Sequence, residues 1–170
     1  MSQKSPRRRA REFALQALYQ WQLNQATWSV LNHEFSLADG IDRADVNLFK
    51  AITKGVIDEA TPLSEALTPH LDRKWQELSP VEKAVMLIGA YELVHMQETP
   101  YRVIINEAVE LAKSYGGTDG HKYVNGVLDK LAATVRVDEV GVPPVMKERA
   151  ARPAAPVVSV TKKALKKVLG

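Results

Sequence analysis

Apolar residues recur at three- and four-residue intervals along most of the chain, the spacing that gathers them on one face of an α-helix. The first such stripe is Ala10, Phe13/Ala14, Ala17/Leu18 and Trp21, and it follows Ser5-Pro6, a reasonable helix start. It predicts a helix over roughly 7–25. Trp28, Leu31 and Phe35 predict a second, shorter helix ending near Asp39-Gly40, and Val46, Phe49, Ile52/Thr53 and Val56/Ile57 predict a third. Thr61-Pro62 should stop that helix and open a fourth around Leu63, Ala66 and Leu67, with Pro69 limiting its length.

Ser79-Pro80-Val81-Glu82 is the clearest start signal: Ser79 can cap, Pro80 suits the first helical position, and Glu82 completes a capping box. The helix it opens carries Val81, Ala84/Val85, Ile88 and Tyr91/Glu92 and should end before Thr99-Pro100. Val103 to Tyr115 repeats the pattern through Ile104, Ala108, Leu111 and Ala112, and Gly116-Gly117 is a natural stop. Thr118 or Asp119 can cap a last helix whose inner face is Val124, Val127/Leu128 and Leu131. No alternating run flanked by turns argues for a sheet. The expectation is an all-α bundle of about seven helices over residues 1–140. Beyond it, Pro143, Pro144, Pro153 and Pro156 among Ala, Val and basic residues predict a disordered Pro/Ala/Lys-rich tail over 141–170, solubilising and without a specific role. Within it, Thr161–Leu169 could form one or two basic amphipathic turns.

The length, 170 residues, is enough for one core, and 45% apolar with 25% charged residues is the balance of an ordinary soluble domain. Cysteine is absent, which excludes disulfides and thiolate metal sites and fits a reducing compartment. No apolar run approaches the ~18–20 residues that span a bilayer, and the arginines at the start lead into an amphipathic stretch rather than a signal sequence. The expected location is the cytoplasm, with no membrane partner.

The net charge of +3 hides an asymmetry. Residues 1–11 carry Lys4 and four arginines against no acid; residues 12–140 carry 11 Lys/Arg against 19 Asp/Glu; the last 30 carry 7 against Glu148. An acidic body with basic ends suggests a local phosphate contact near the N-terminus and a different, acid-tolerant use for the remaining surface.

Enzyme chemistry is not in evidence. Neither G-x-x-x-x-G-K-[ST] nor G-x-G-x-x-G nor G-x-S-x-G occurs, and His33, His70, His95 and His121 are scattered without zinc-ligand spacing. Glu107 and Glu110 lie on adjacent turns, as on an ordinary solvated helix face. No catalytic residue, cofactor or metal is expected.

Three features carry binding information. Arg7-Arg8-Arg9-Ala10-Arg11 heads an amphipathic helix, and guanidinium forks suit phosphate. Cations there oppose the helix dipole, so a bound polyanion would offset an intrinsic cost; a solvated basic terminus fits the run equally well. Lys113 to Tyr123 joins two helices through Gly116-Gly117, with backbone amides for an anion, Lys113 and Lys122 for charge, and Tyr115 and Tyr123 for stacking on unpaired bases. On its own the segment reads first as a glycine C-cap followed by an N-cap at Asp119, with both tyrosines partly in the core. Trp75, Gln76 and Glu77, followed by the helix bearing Glu82 and lying beside Tyr19, offer an acidic, aromatic surface for a basic protein, or ordinary surface plus core.

Taken together, RRRAREFALQALYQWQL (7–23), VEKAVMLIGAYEL (81–93) and PYRVIINEAVELAKSYGGTDGHKYVNGVLDKL (100–131) resemble the NusB family of transcription antitermination factors over about 7–136. The I-N-E-A-V-E-L-A-K and K-Y-V-N-G-V-L-D stretches are the most specific. The resemblance implies two stacked three-helix units plus an extra helix, and no catalytic activity. It also implies binding to the boxA element of ribosomal-RNA leader transcripts as a heterodimer with NusE, a small-subunit ribosomal protein, in a complex with other Nus factors on RNA polymerase. Carried over by motif, Arg7, Arg8, Arg9 and Arg11 would face RNA, completed by Gln16, Gly116, Gly117, Asp119, Lys122 and Tyr123; Tyr19, Gln76 and Glu82 would face NusE. Gln76 stands where the family pattern has an acid, and Gly120 where it more usually has serine. Some members self-associate, so a homodimer that hides the RNA surface stays open. The same fold serves as the RNA-binding domain of a ribosomal-RNA cytosine methyltransferase, which should be followed by a Rossmann-like domain with catalytic cysteines; this sequence carries neither.

Overall fold

The computed structural model describes residues 3–141, in which every regular element is helical. The helices are α1 (Pro6–Asn24), α2 (Trp28–Ser36), α3 (Val46–Asp58), α4 (Ala60–Leu67), α5 (Pro80–His95), α6 (Tyr101–Tyr115), α7 (Gly120–Val135) and a single turn, α8 (Val137–Val140). Short 3₁₀ turns at 41–43, 68–70 and 75–77 connect them. The seven longer helices are those the apolar spacing predicts. The basic tail expected after residue 140 lies, from residue 142 on, outside the described residues.

The helix starts follow local chemistry. Ser5 Oγ accepts from the Arg8 N–H at 3.1 Å, Asp45 Oδ1 from the Leu48 N–H at 3.0 Å, and Ser79 exchanges both bonds of a capping box with Glu82. Pro62 sits inside the first turn of α4 rather than between helices, where its missing N–H leaves no bond unmade. Two boundaries differ from expectation for tertiary reasons. α2 stops at Ser36, and Gly40, with φ of +85°, turns the chain into the 41–43 turn. α6 begins two residues early because the Glu139 carboxylate accepts the Tyr101 N–H at 2.7 Å.

Two three-helix units, α1–α3 and α5–α7, meet where α5 packs against α1 and α3, and α4 bridges them. α5 is the axis of the molecule. All seven residues from Ala84 to Ala90 are buried, so this helix has no solvent face along its middle. Small residues let neighbours approach it: a Cβ on Gly89 would come within 2.7 Å of Leu128, and one on Gly55 of α3 would fall within the Tyr91 ring.

Two buried arginines organise the charged part of this core. Arg11 of α1 donates Nε and Nη2 to the two carboxylate oxygens of Glu92 in α5, at 2.9 and 2.8 Å, with both side chains almost fully enclosed. Burial alone would oppose the Arg11 charge, but the paired bonds outweigh it and hold its pKa above the ordinary arginine value. Arg136, just past α7, donates to the carbonyls of Glu92, Leu93, Met96 and Thr99 and to the Glu139 carboxylate. It thereby satisfies orphan carbonyls at the end of α5, while Glu139 takes the first N–H of α6. This clip explains how α5 and α6 join over the short segment 96–100.

Replacing one member of the Arg11–Glu92 pair strands a charge in the core. Arg11→Ala should lower the unfolding free energy by about 3–5 kcal/mol, whereas Arg11→Met combined with Glu92→Leu should recover most of it. Urea titration of both variants checks this; an Arg11→Ala midpoint equal to wild type would show the pair to be dispensable.

Candidate nucleic-acid interface

Four arginines enter α1 together and leave with different surroundings. Arg11 turns inward and is 2% exposed, so the structure corrects its expected place in an RNA-facing head: it holds α1 to α5 instead. Arg8 donates Nε and Nη2 to Glu107 of α6, both at 3.0 Å, and these bonds raise its pKa above the ordinary value against the opposing effect of burial. Arg7 reaches Thr99 Oγ1 at 3.2 Å and lies 3.8 Å from Asp45. The Arg9 side chain has no hydrogen-bond or ion-pair partner among the described residues, and Lys4 pairs with Glu12. The head is therefore a ridge in which Arg9 alone is uncommitted, Arg7 and Arg8 are tethered but partly open, and Arg11 is structural.

Gln16 is exposed on α1 seven residues after Arg9, close to two helical turns, so the two share a side of the helix. Glu107, expected to be ordinary solvated surface, is only 17% exposed in its side chain and serves as the anchor for Arg8. The signal that could have found it is an arginine run that needs carboxylates and an i, i+3 acid pair that offers them.

The glycine junction stands at the far end of α6. At 1.5 Å per residue it lies about 14 Å along the helix from Glu107, so α6 connects the two candidate RNA regions. The two glycines are not equivalent. A Cβ on Gly116 would lie 2.7 Å from the Ala112 carbonyl oxygen, whereas one on Gly117 would meet nothing within 4 Å. Asp119 occupies the cap position of α7 but its side chain makes no cap bond, and it instead lies 3.6 Å from the Lys122 ammonium in a well-exposed pair. Tyr123 faces a different corner: its hydroxyl accepts the Asp72 N–H at 3.2 Å and the Arg73 guanidinium lies over its ring at 4.2 Å. Burial raises the Tyr123 pKa above that of free tyrosine. Nothing in the sequence signals this contact, because fifty residues separate the partners.

Tyr19, Gln76 and Glu82 gather at one end of the α1–α5 contact. The Gln22 amide donates to the Pro80 carbonyl at 2.9 Å, which brings the last turns of α1 against the first turn of α5, where Glu82 sits. Tyr19 lies one turn before Gln22 and is 40% exposed, and Gln76 is exposed in the turn just ahead of α5. Beside them, Trp21, Trp75, Lys83 and Leu87 line a cleft of about 370 Å³. No group of three metal-ligating side chains comes together among the described residues, and no described helix is long and apolar enough to cross a membrane.

A family model for NusB matches residues 8–133, which takes in α1 through nearly all of α7. The chain belongs to the NusB family. Among its relatives, the transcription antitermination protein NusB of Ralstonia pickettii is 58% identical over 137 residues, covering 81% of this chain and 88% of the relative. That of Burkholderia lata is 60% identical over 136 residues, covering 80% and 94%. A solved structure of T. maritima NusB superimposes with a TM-score of 0.65 at 29% identity, covering 76% of this chain and 92% of the other. The stretches that carried the resemblance map onto α1, α5 and the α6–α7 hairpin, so they supply both the NusB core and its candidate surface.

The glycine junction yields a paired prediction. Gly116→Ala should cost about 1–3 kcal/mol by pressing on the end of α6, and Gly117→Ala should stay within about 0.5 kcal/mol of wild type. Thermal unfolding of the two variants in parallel separates a steric role at Gly116 from a general demand for flexibility.

Proposed function

We propose that this chain is a non-enzymatic antitermination factor of the cytoplasm. In this reading it binds boxA RNA of ribosomal-RNA leader transcripts together with NusE and acts with other Nus factors on RNA polymerase. The observation that carries the reading is the pairing of NusB family membership across residues 8–133 with an arginine ridge in which the half-buried Arg9 side chain has no hydrogen-bond or ion-pair partner among the described residues. A free guanidinium at a helix start offers paired hydrogen bonds to phosphate, and a bound phosphate offsets the repulsion between that cation and the positive end of the helix dipole. Arg7 and Arg8 keep donors beyond those used on Thr99 and Glu107. Gln16 continues the ridge, while Gly116, Gly117, Asp119 and Lys122 offer a second contact region at the far end of α6, and Tyr123 a further one at its corner with residues 72–73.

For the protein partner, Tyr19, Gln76 and Glu82 present an aromatic ring, an amide and a carboxylate at one end of the molecule. The body's excess of acids over bases suits a basic ribosomal protein. With glutamine at position 76, that residue's contact is a hydrogen bond rather than an ion pair.

The test is binding of boxA RNA and of a scrambled RNA of equal length, with and without NusE, at one fixed salt concentration. Preference for boxA that strengthens with NusE is expected; equal binding of both RNAs, unaffected by NusE, would remove the reading. Within that assay, Arg9→Ala should reduce the magnitude of the slope of log K against log salt by about 0.7, the value for one phosphate on a single strand. Its urea midpoint should be unchanged, in contrast to Arg11→Ala.

A further inference from the structure

The corner where Tyr123 meets residues 72–73 holds an arginine to which no role has been assigned. Its side chain belongs neither to the core nor to any long-range ion pair. Arg73 is 43% exposed, its guanidinium carbon lies 4.2 Å from the centroid of the Tyr123 ring, and Asp72 takes its Nε–H at 2.8 Å, with a longer contact from Nη2 at 3.5 Å. The Asp72 N–H also bonds the Tyr123 hydroxyl at 3.2 Å, so ring, backbone and guanidinium form one closed unit. Arg73 thus stands on a platform: its guanidinium lies over the aromatic ring, Asp72 takes its Nε and Nη2, and the side chain stays open to solvent.

This arrangement alters what the α7 end of the candidate surface presents to a ligand. The exposed Arg73 guanidinium covers one face of the half-buried Tyr123 ring. From that geometry we infer that Arg73 is an RNA-binding residue, its guanidinium serving as the stacking surface for an unpaired base with Tyr123 as its support. The inference rests on the RNA-binding reading above and deepens it. A guanidinium plane stacks on any base and adds a positive charge beside the phosphate chain. The neighbouring exposed cations Lys74 and Lys122 add to Arg73, and the nearby acids are each engaged: Asp72 by Arg73, Asp119 near Lys122, Glu77 by the Lys74 N–H and Glu82 by the Ser79 N–H. The location also fits, since Arg73 lies over Tyr123 and within electrostatic reach of Glu82, and so touches both the proposed RNA and protein surfaces.

Three chains tested against boxA RNA with NusE present, over a range of salt, decide the matter: wild type, Arg73→Ala and Arg73→Lys. Loss of the stacking plane should weaken Arg73→Ala by about tenfold and reduce the magnitude of its salt slope by about 0.7. Arg73→Lys should also weaken binding several-fold while keeping the wild-type slope, because it retains charge but not the plane. Arg73→Ala binding as well as wild type overturns the assignment. Tighter binding by Arg73→Ala overturns it too, and would mean that bases use the uncovered Tyr123 ring directly. Arg73→Lys binding like wild type while Arg73→Ala weakens would reduce the residue to a point charge and overturn the stacking role. A wild-type chain that does not bind boxA RNA at all removes the underlying reading instead, so the two failures are distinguishable.

Discussion

The Arg11–Glu92 pair sets the terms on which the two halves of the molecule meet. A carboxylate buried near the end of α5 is tolerable only with a partner that fills both of its oxygens, and α1 supplies that partner in Arg11. The geometry leaves α1 little freedom to slide or rotate. At the other end of the same contact, the bond from Gln22 to the Pro80 carbonyl holds the antiparallel alignment. With α1 held in this way, Arg7 falls beside Thr99 and Arg8 beside Glu107, and the Arg9 side chain is left without a partner among the described residues. The polar register inside the interface therefore decides which arginines remain for the outside.

The charge separation visible along the chain is accordingly not a separation in space. Acids of the body lie among the cations of the head, and the pairs Lys4–Glu12, Arg7–Asp45 and Arg8–Glu107 cross between segments that the linear charge map treats as distinct. The ridge is basic in sequence and much closer to neutral in its contacts. Surface electrostatics inferred from composition overstates the field such a terminus projects, because exposed pairs of this kind form readily even where each contributes little stability.

Much of the architecture is legible in the sequence. Ser79 and Glu82 bond as the capping box predicts, and the apolar stripes of α1, α3, α6 and α7 become the buried faces. What escaped were partnerships between residues far apart in the chain. Arg11 reads like its neighbours until Glu92 is found opposite it, and Glu107 reads as solvated surface until Arg8 arrives. Arg136 looks like one more charge near a helix end, yet it gathers four carbonyls around the α5–α6 junction. Helical periodicity tells which side of a helix is apolar; it carries no information about which charge on the boundary is met by another element.

Glu107 deserves to be seen from the ligand's side. With two oxygens aligned on one edge of the Arg8 guanidinium, it presents much what a phosphate would present, and the uncomplexed protein already holds that side chain as though an anion were bound. Engaging Arg8 through that edge is then a substitution of one anion for another rather than the capture of a loose charge. The arginine arrives preorganised, which limits the entropy lost on binding, but the net gain at that position is small because an existing bond must be surrendered. A ridge built this way rewards stray polyanions poorly at any single point, and favours a strand long enough to collect many modest contacts in register.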